Sequence, residues 1–281
     1  MSILAAVSSA PTKTGIRIVI AGLEKMGKTT LCCNAPRPLL VPLEPGFAGV
    51  RVQKTPLLEH YTHVMMLLDE IAQQASVGQF PYMSLVFDSI TGFERLIHQA
   101  TLESDPTYGK GNKKALTMEA ALGGYGKAYQ YANELFEKFL GKCDQLAIHF
   151  GINIIFTAHV FASEVKDPGA GVYNSWDLLL HSPKNQKTYG KREMLTQWAD
   201  IVGYLHDPLT VVEGKQMNTA VSKGQGRVLG LTRQPGYVAG NRFGVVNPLS
   251  IPAVGGWNVL ANEVYQCTQG QIDLFNRDVV A

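Results

Sequence analysis

Short apolar runs rich in β-branched and aromatic residues recur along the chain, and each is about the length of one strand. Such runs are typical of strands that are buried on both faces of a sheet. The runs that predict buried strands are residues 16–21, 82–88, 152–158 and 199–205. Residues 37–44 carry two prolines and predict an irregular or edge strand. Residues 211–216 and 227–232 are predicted to pair as antiparallel strands at one sheet edge.

Between these strands, apolar residues recur at helical spacing. Residues 61–75 and 125–150 each predict a helix with one apolar face, and Ser89 or Thr91 can begin another helix. Residues 103–124 and 163–190 are polar and predict two long loops. Strands that alternate with helices predict an α/β fold with a mostly parallel central sheet and helices on both faces.

One motif lies between the first predicted strand and a predicted helix. Residues 22–29 read Gly-Leu-Glu-Lys-Met-Gly-Lys-Thr, the G-x-x-x-x-G-K-T pattern of a phosphate-binding P-loop. Glycines let successive backbone N–H groups face phosphate oxygens, Lys28 would neutralise the β- and γ-phosphates, and the Thr29 hydroxyl would hold Mg²⁺. We therefore predict ATP and Mg²⁺ as ligands. The predicted nucleotide-binding residues are Gly22, Leu23, Glu24, Lys25, Met26, Gly27, Lys28, Thr29 and Thr30.

Three polar residues stand at the ends of other predicted strands: Glu44, Asp88 and His159. Because ligands bind at the carboxyl ends of parallel strands, we expect these residues and the P-loop at one rim of the sheet. Asp88 is predicted to contact Mg²⁺ as a Walker B acid, and a helix N-cap is its alternative role. Ser89 stands where many motor ATPases carry the hydrolytic glutamate, so another residue must activate water.

Glu44 is the candidate for that general base, because a strand-end carboxylate can accept a proton from a water near the γ-phosphate. His159 is the candidate sensor of the γ-phosphate. The alternatives are a surface turn residue for Glu44 and, for His159, a strand-end histidine bonded only to backbone.

Composition narrows the function classes only slightly. The chain has 281 residues, 46% of them hydrophobic, with a net charge of +2, so nucleic-acid binding would need local basic clusters. Its four cysteines form no C-x-x-C pair, which favours free thiols and a reducing cytoplasm. Residues 1–10 lack the features of a signal peptide, and no apolar run has the length of a membrane span.

The order of these motifs resembles the RecA core, and it is similar to phage-encoded RecA-like ATPases that act as single-strand annealing or recombination proteins and are often labelled AAA-family. Segments 38–46, 125–127, 157–159 and 199–202 carry the resemblance. It implies a RecA-like ATPase domain at 15–250, after a lead-in at 1–14 and before a tail at 251–281 that packs on or extends the core. It also implies a location in the cytoplasm of a host cell.

The resemblance implies residue roles as well. Glu44 would be the hydrolytic base, and His159 would stand at the position of the glutamine switch in RecA. RecA-type rings and filaments insert a K-x-K or K-x-R pair into the neighbour's active site, and only Arg242 remains of that pair in Gly240-Asn241-Arg242. Arg242 would then stabilise transition-state charge in trans, and its alternative role is that of a solvated loop arginine.

The two long loops are where RecA-like proteins contact DNA. Here they combine basic residues with aromatic residues, a composition that suits single-strand binding without sequence preference. The candidate DNA contacts are Lys110, Lys113, Lys114, Lys184, Lys187, Lys191 and Arg192. Without the resemblance, these would be two solvated surface loops. The resemblance further implies DNA-stimulated ATPase activity, self-association into a ring or filament, and a cognate single-strand-binding protein as a partner.

Two other functions use the same motifs. The alternative function is that of a ring-forming ATPase motor or regulatory switch that acts on a protein partner, because a P-loop reports only nucleotide binding. A small-molecule kinase is disfavoured, since the second half of the chain has few arginines and no cluster that indicates a lid.

Overall fold

A nine-stranded sheet runs through the part of the chain that the computed structural model describes: residues 14–105, 114–169, 171–183, 189–212, 219–222 and 226–276. In chain order the strands are β1 (Arg17–Ala21), β2 (Pro38–Pro42), β3 (Gln53–Lys54), β4 (Ser84–Asp88), β5 (Asn153–Ala158), β6 (Val160–Asp167), β7 (Gly171–Leu178), β8 (Ile201–His206), β9 (Leu209–Val212), β10 (Thr219–Ser222), β11 (Arg227–Gly230), β12 (Gly240–Asn241) and β13 (Leu249–Ile251). The helices are α1 (Lys28–Cys32), α2 (Tyr61–Ser76), α3 (Ile90–Glu103), α4 (Lys127–Phe150), α5 (Lys191–Trp198) and α6 (Gly256–Cys267).

The strand order across the sheet is β13-β11-β8-β1-β5-β4-β2-β3, with β12 also paired to β8. All the pairs from β8 to β3 in this order are parallel. The strands β11 and β12 run antiparallel to β8, and β13 runs antiparallel to β11. The predicted fold class, a mostly parallel sheet with antiparallel strands at one edge, is therefore confirmed.

The strands are buried on both faces, which explains why they read as continuous apolar runs. Val19, Phe87 and Phe156 belong to a core with residues of α2, α3 and α4. Their neighbours Ile18 and Ile155 belong to a second core on the other face, with residues of α1 and α6. Because successive side chains of a strand point to opposite faces, one short run supplies both cores. Among the described residues, no helix is both long and apolar enough to cross a membrane.

The predicted helices are confirmed, and local backbone chemistry sets where they begin. Ser89 caps α3, since its hydroxyl accepts a hydrogen bond of 3.0 Å from the Gly92 N–H. The helix α4 begins at Lys127, two residues later than expected, because Gly126 adopts a left-handed conformation with φ of 79°. The boundaries at 14/15 and 250/251 stay a prediction.

Two predictions about the second half are wrong. Residues 163–190 are not one long loop, because β6 and β7 form an antiparallel hairpin that begins directly after His159. The strand β9 pairs with β10 rather than with β11, and β11 lies in the main sheet between β8 and β13. In the hairpin, partly exposed residues alternate with more exposed ones along β6. Such a ribbon buries little apolar surface, so its sequence looks like that of a polar loop.

Candidate functional site

The P-loop leaves β1 at the carboxyl edge of the sheet, where glycine is required at two positions. A Cβ added to Gly22 would lie only 2.4 Å from the carbonyl oxygen of Leu205, so the loop starts against the end of β8. Gly27 has φ of 82°, a left-handed conformation that suits glycine, and it directly precedes α1. The loop and the first turn of α1 therefore have the backbone shape that a phosphate-binding site needs.

Lys28 places its charge inside this loop. Its side chain is almost fully buried, and Nζ donates hydrogen bonds of 2.9 Å and 2.8 Å to the carbonyl oxygens of Gly22 and Leu23. Burial lowers the pKa of Lys28, although the nearby carboxylate of Asp88 acts in the opposite direction. A buried ammonium whose described hydrogen-bond acceptors are carbonyl groups favours an anionic ligand close by.

Thr29 and Asp88 approach each other beside Lys28. The Thr29 hydroxyl donates a hydrogen bond of 2.9 Å to Asp88 Oδ2, and the Thr157 hydroxyl donates to Asp88 Oδ1. A hydroxyl and a carboxylate at this separation are oxygen ligands of the type that Mg²⁺ prefers, with water completing the shell. The donor set fits the predicted metal site. Sequence reasoning did not identify Thr157, which holds the carboxylate from the neighbouring strand β5.

Glu44 and His159 are in direct contact. His159 Nε2 lies 2.9 Å from Glu44 Oε1, and its Nδ1 lies 3.6 Å from Glu24 Oε1 in the P-loop. Burial alone would raise the pKa of Glu44, but hydrogen bonds from His159 and Ser89 outweigh it and leave that pKa below its usual value. Glu44 is therefore an ionised carboxylate at neutral pH, as a general base must be.

The structure thus brings the four strand-end and P-loop residues to one edge of the sheet. The arrangement could bind a triphosphate in the loop, hold Mg²⁺ at Thr29 and Asp88, and accept a proton at Glu44. Their individual roles in catalysis stay predictions. The backbone N–H of His159 also donates to the Thr91 hydroxyl at 3.1 Å, which ties the end of β5 to the first turn of α3.

Arg227 is a second cation at the P-loop that the sequence did not reveal. Its Nη1 donates a hydrogen bond of 3.2 Å to the Met26 carbonyl, and its Nη2 donates one of 2.9 Å to the Pro252 carbonyl. A Cβ added to Gly27 would lie 2.2 Å from Nη1, so a larger residue there would displace the end of the Arg227 side chain. The position follows from the direction of β11, since an antiparallel strand begins at the edge where the parallel strands end.

Arg242 lies far from its own P-loop. Its Nη1 pairs with Asp200 Oδ1 at 2.9 Å, and Asp200 also binds Arg17 at the first residue of β1. Asp200 directly precedes β8, so this cluster occupies the amino edge of the sheet. The side chain of Arg242 is about half exposed, at 52%. The predicted role of Arg242 in a neighbouring subunit stays a prediction.

The predicted DNA contacts fall into three groups. Lys110, Lys113, Lys184 and Lys187 lie outside the described residues. Lys114 is exposed, as expected.

Lys191 and Arg192 were expected in a surface loop, but both lie in α5. Lys191 has no exposed side-chain area, and its Nζ lies 3.3 Å from Glu94 on α3, so the prediction of a surface contact for it is wrong. Arg192 is part-buried and pairs with Asp177 at 2.8 Å. The sequence could not reveal these partners, because Glu94 lies on the distant helix α3, and Asp177 lies on β7, which the sequence predicted as part of a loop.

The parallel sheet, the loop and the strand-end carboxylates define the chain as a P-loop nucleotide-binding ATPase. The AAA domain family matches residues 14–243, which is most of the chain and includes β1 to β12. The chain therefore belongs to the AAA domain family. Proteins with this type of domain bind nucleotide, usually together with Mg²⁺. No curated protein matches the chain.

Proposed function

We propose that the protein binds and hydrolyses ATP as a RecA-like protein that acts on single-stranded DNA in recombination or annealing. The observation that carries this proposal is the meeting of the two predicted loop regions at the start of α4. Tyr129 donates a hydrogen bond of 2.7 Å to Glu119 in the first region and stacks on His181 in the second, with ring centroids 4.0 Å apart. Asn133 donates to the Tyr189 carbonyl at 3.1 Å. Both regions therefore border one surface.

Both regions carry exposed aromatic rings or ammonium groups at or next to their ends. We call Lys114, Tyr125, Lys127 and Tyr189 the aromatic–basic surface; all four are exposed, Tyr125 at 98% and Tyr189 at 65%. Aromatic faces stack on unpaired bases, while ammonium groups contact phosphates. This composition suits a single strand better than a duplex, whose bases are already stacked.

Tyr125 adds a further observation. Its φ of 56° is left-handed, a conformation that costs a residue other than glycine about 1 kcal/mol or more. Its neighbours Gly124 and Gly126 also have positive φ, at 77° and 79°. The backbone of Tyr125 is therefore in an unfavourable conformation, while its ring is fully exposed. Backbone strain of this kind is often found at binding sites.

The nucleotide site and this surface share one helix. The helix α3 begins two residues after Asp88, and its Glu94 pairs with the buried Lys191 and accepts a hydrogen bond of 2.9 Å from the His181 N–H. His181 lies within the second predicted loop and Lys191 directly follows it. A change at Asp88 on nucleotide binding would therefore reach two points of that region through α3, which supports coupling between ATP and DNA.

In the proposed reaction, Lys28 and the loop N–H groups hold the triphosphate, and Thr29 and Asp88 hold Mg²⁺. The metal would neutralise charge that develops on the phosphate oxygens. Glu44 accepts a proton from the attacking water, and His159 orients the Glu44 carboxylate through their contact. Self-association into a ring or filament would bring Arg242 to a neighbouring site, after it releases Asp200.

The test is binding of a labelled oligothymidine by fluorescence anisotropy, with ATP and Mg²⁺ present, across a salt series. We expect binding at low salt that weakens steeply as salt rises, and faster ATP hydrolysis when DNA is present. Tyr125→Ala should weaken binding about tenfold, as loss of one stacked base would. Tyr265→Ala, which removes an exposed tyrosine from α6, is the matched control. Absence of binding at low salt would contradict the proposal.

A second candidate is a ring-forming motor or regulatory switch that acts on a protein partner. The observation that favours it is the ion pairing of Lys191 and Arg192, which leaves fewer free cations for DNA. A closed ring without nucleic acid, and an ATPase rate that a protein partner raises and DNA does not, would favour this candidate.

A further inference from the structure

Glu24 at the tip of the P-loop has no part in the hydrolysis described above. Its Oε1 lies 3.6 Å from Nδ1 of His159, and its side chain is 67% exposed. The next residue, Lys25, has a left-handed φ of 61°, so the chain turns at this point. An exposed side chain at a turn can rotate into solvent while the loop backbone stays in place. The contact between Glu24 and His159 can therefore be broken at little cost.

His159 is fixed on the other side of this contact. Its N–H donates to the Thr91 hydroxyl at 3.1 Å, and its carbonyl accepts from the Leu179 N–H at 2.9 Å. Its Nε2 lies 2.9 Å from Glu44 Oε1, whereas its Nδ1 is buried and makes no hydrogen bond with any described residue. A buried ring nitrogen without a hydrogen bond is unfavourable, so the position beside Nδ1 favours a partner that comes closer than Glu24 does.

Glu24 is also close to the cation of the P-loop. Burial lowers the pKa of Lys28, and the carboxylates of Asp88 and Glu24 act in the opposite direction. The negative charge of Glu24 is therefore felt at both Lys28 and His159. A phosphate that approaches the same two side chains would meet this charge and be repelled by it.

We propose that Glu24 is an internal competitor of the γ-phosphate: it takes the place beside His159 Nδ1 that the γ-phosphate needs, so ATP must displace it. This inference rests on the proposed function, in which the triphosphate lies at Lys28 and the attacking water at Glu44. ADP has no γ-phosphate and leaves the contact between Glu24 and His159 intact. The contact therefore lowers the affinity for ATP more than the affinity for ADP, and Glu24 sets part of the preference between the two nucleotides.

The experiment measures dissociation constants for a non-hydrolysable ATP analogue and for ADP by isothermal titration calorimetry, with Mg²⁺ present. Glu24→Gln removes the charge and keeps the length of the side chain. Glu24→Asp is the matched control, since it keeps the charge in the loop but shortens its reach toward His159. His159→Ala removes the nitrogen, and the double variant with Glu24→Gln completes a double-mutant cycle. Thermal melting verifies that each variant is folded.

We expect Glu24→Gln to strengthen binding of the ATP analogue about three- to fivefold, the upper part of the range for an exposed ion pair, and to change binding of ADP less. Glu24→Asp should act in the same direction, because its carboxylate no longer reaches His159. In the His159→Ala background, Glu24→Gln should have no further effect on the ratio of the two dissociation constants.

An unchanged ratio in Glu24→Gln would overturn the proposal, and so would the same gain in the His159→Ala background. Wild-type affinities in Glu24→Asp would overturn it too, since the charge of the loop would then matter rather than the contact with His159. Wild-type protein that binds neither nucleotide would contradict the proposed function together with this inference. Wild-type protein that binds both, with a ratio that Glu24→Gln leaves unchanged, would contradict this inference alone.

Discussion

Both edges of the central sheet carry charged residues, but those at the amino edge are ion-paired, whereas the Lys28 ammonium at the carboxyl edge has no such partner among the described residues. At the amino edge, Asp200 lies between Arg17 and Arg242, and Arg17 also pairs with Asp144 at 3.1 Å, so the charges neutralise each other. At the carboxyl edge, the ammonium of Lys28 hydrogen-bonds only to backbone carbonyls among the described residues. The same residue types therefore stabilise the fold at one edge and leave a site for an anion at the other.

Glycine explains much of this difference. At the carboxyl edge, the left-handed Gly27 and the closely packed Gly22 let the chain curl around an open space. At the amino edge, the Asp200 backbone N–H donates to the Arg17 carbonyl at 2.8 Å, so adjacent strands continue their pairing up to the charged cluster. Changes at the two edges should consequently affect different properties, and four predictions test this.

The largest effect is expected for Lys28→Ala. Loss of the cation inside the loop should abolish detectable ATP binding and turnover, because the buried Lys28 ammonium, which donates to the Gly22 and Leu23 carbonyls, is the charge that would face the phosphates. Isothermal titration calorimetry with ATP and a coupled ATPase assay measure both. Lys138→Ala on the exposed side of α4 serves as the control. Turnover that survives in Lys28→Ala would show that the loop is not the nucleotide site.

Glu44→Gln should retain ATP binding and slow hydrolysis by about 10²- to 10⁴-fold, the usual contribution of a general base. The pKa of Glu44 is lowered, so in wild-type enzyme the acidic limb of the pH–rate profile should fall below the ordinary range of a glutamate. Single-turnover rates across pH measure the effect, with the exposed Glu59→Gln as the control. An unchanged rate would show that another residue acts as the general base.

Arg227→Ala should weaken ATP binding by about tenfold, since the guanidinium holds the Met26 carbonyl and charged hydrogen bonds contribute about 1.5–3 kcal/mol. Arg227→Lys should restore only part of this affinity, because an ammonium lacks the geometry to bridge Met26 and Pro252. The exposed Arg233→Ala is the control. Equal ATP affinity in all these variants would mean that Arg227 does not position the loop.

Asp200→Asn at the amino edge should leave ATP affinity unchanged and lower the free energy of unfolding by about 1–3 kcal/mol. Burial would raise the pKa of Asp200, but the hydrogen bonds from Arg17 outweigh it and lower that pKa. Its contribution is therefore present above the unfolded pKa and is lost as pH falls through the lower, folded pKa. Urea unfolding of wild type and variant across acidic pH measures this change in stability. A larger effect on ATP binding than on stability would contradict the assignment of a structural role to the amino edge.

The carboxyl edge was largely predictable from sequence, because its information is local. A strand followed at once by Glu44, Asp88 or His159 predicts a position at the rim without any long-range contact. Arg227 and Thr157 were missed because their roles depend on strand order and direction. Lys191 was misassigned because its partner Glu94 comes from a distant helix.

The hairpin of β6 and β7 was missed for a different reason. Apart from one bridge between Trp176 and Tyr237, its strands pair with each other, and they are partly exposed, so their sequence lacks the apolar run that indicates a strand. The region after β8 shows the same limit. Residues 209–212 and 219–222 form one short separate ribbon, whereas residues 227–230 form a strand of the main sheet. Pairing partners, rather than local propensity, decide between these outcomes.

The most direct test of the account is a crystal structure with a non-hydrolysable ATP analogue and Mg²⁺. We expect phosphates inside the loop at Lys28, the metal at Thr29 and Asp88, and a Glu44 oxygen within hydrogen-bond reach of a water in line with the γ-phosphate. A structure in which Glu44 or Asp88 faces away from the bound triphosphate would contradict it.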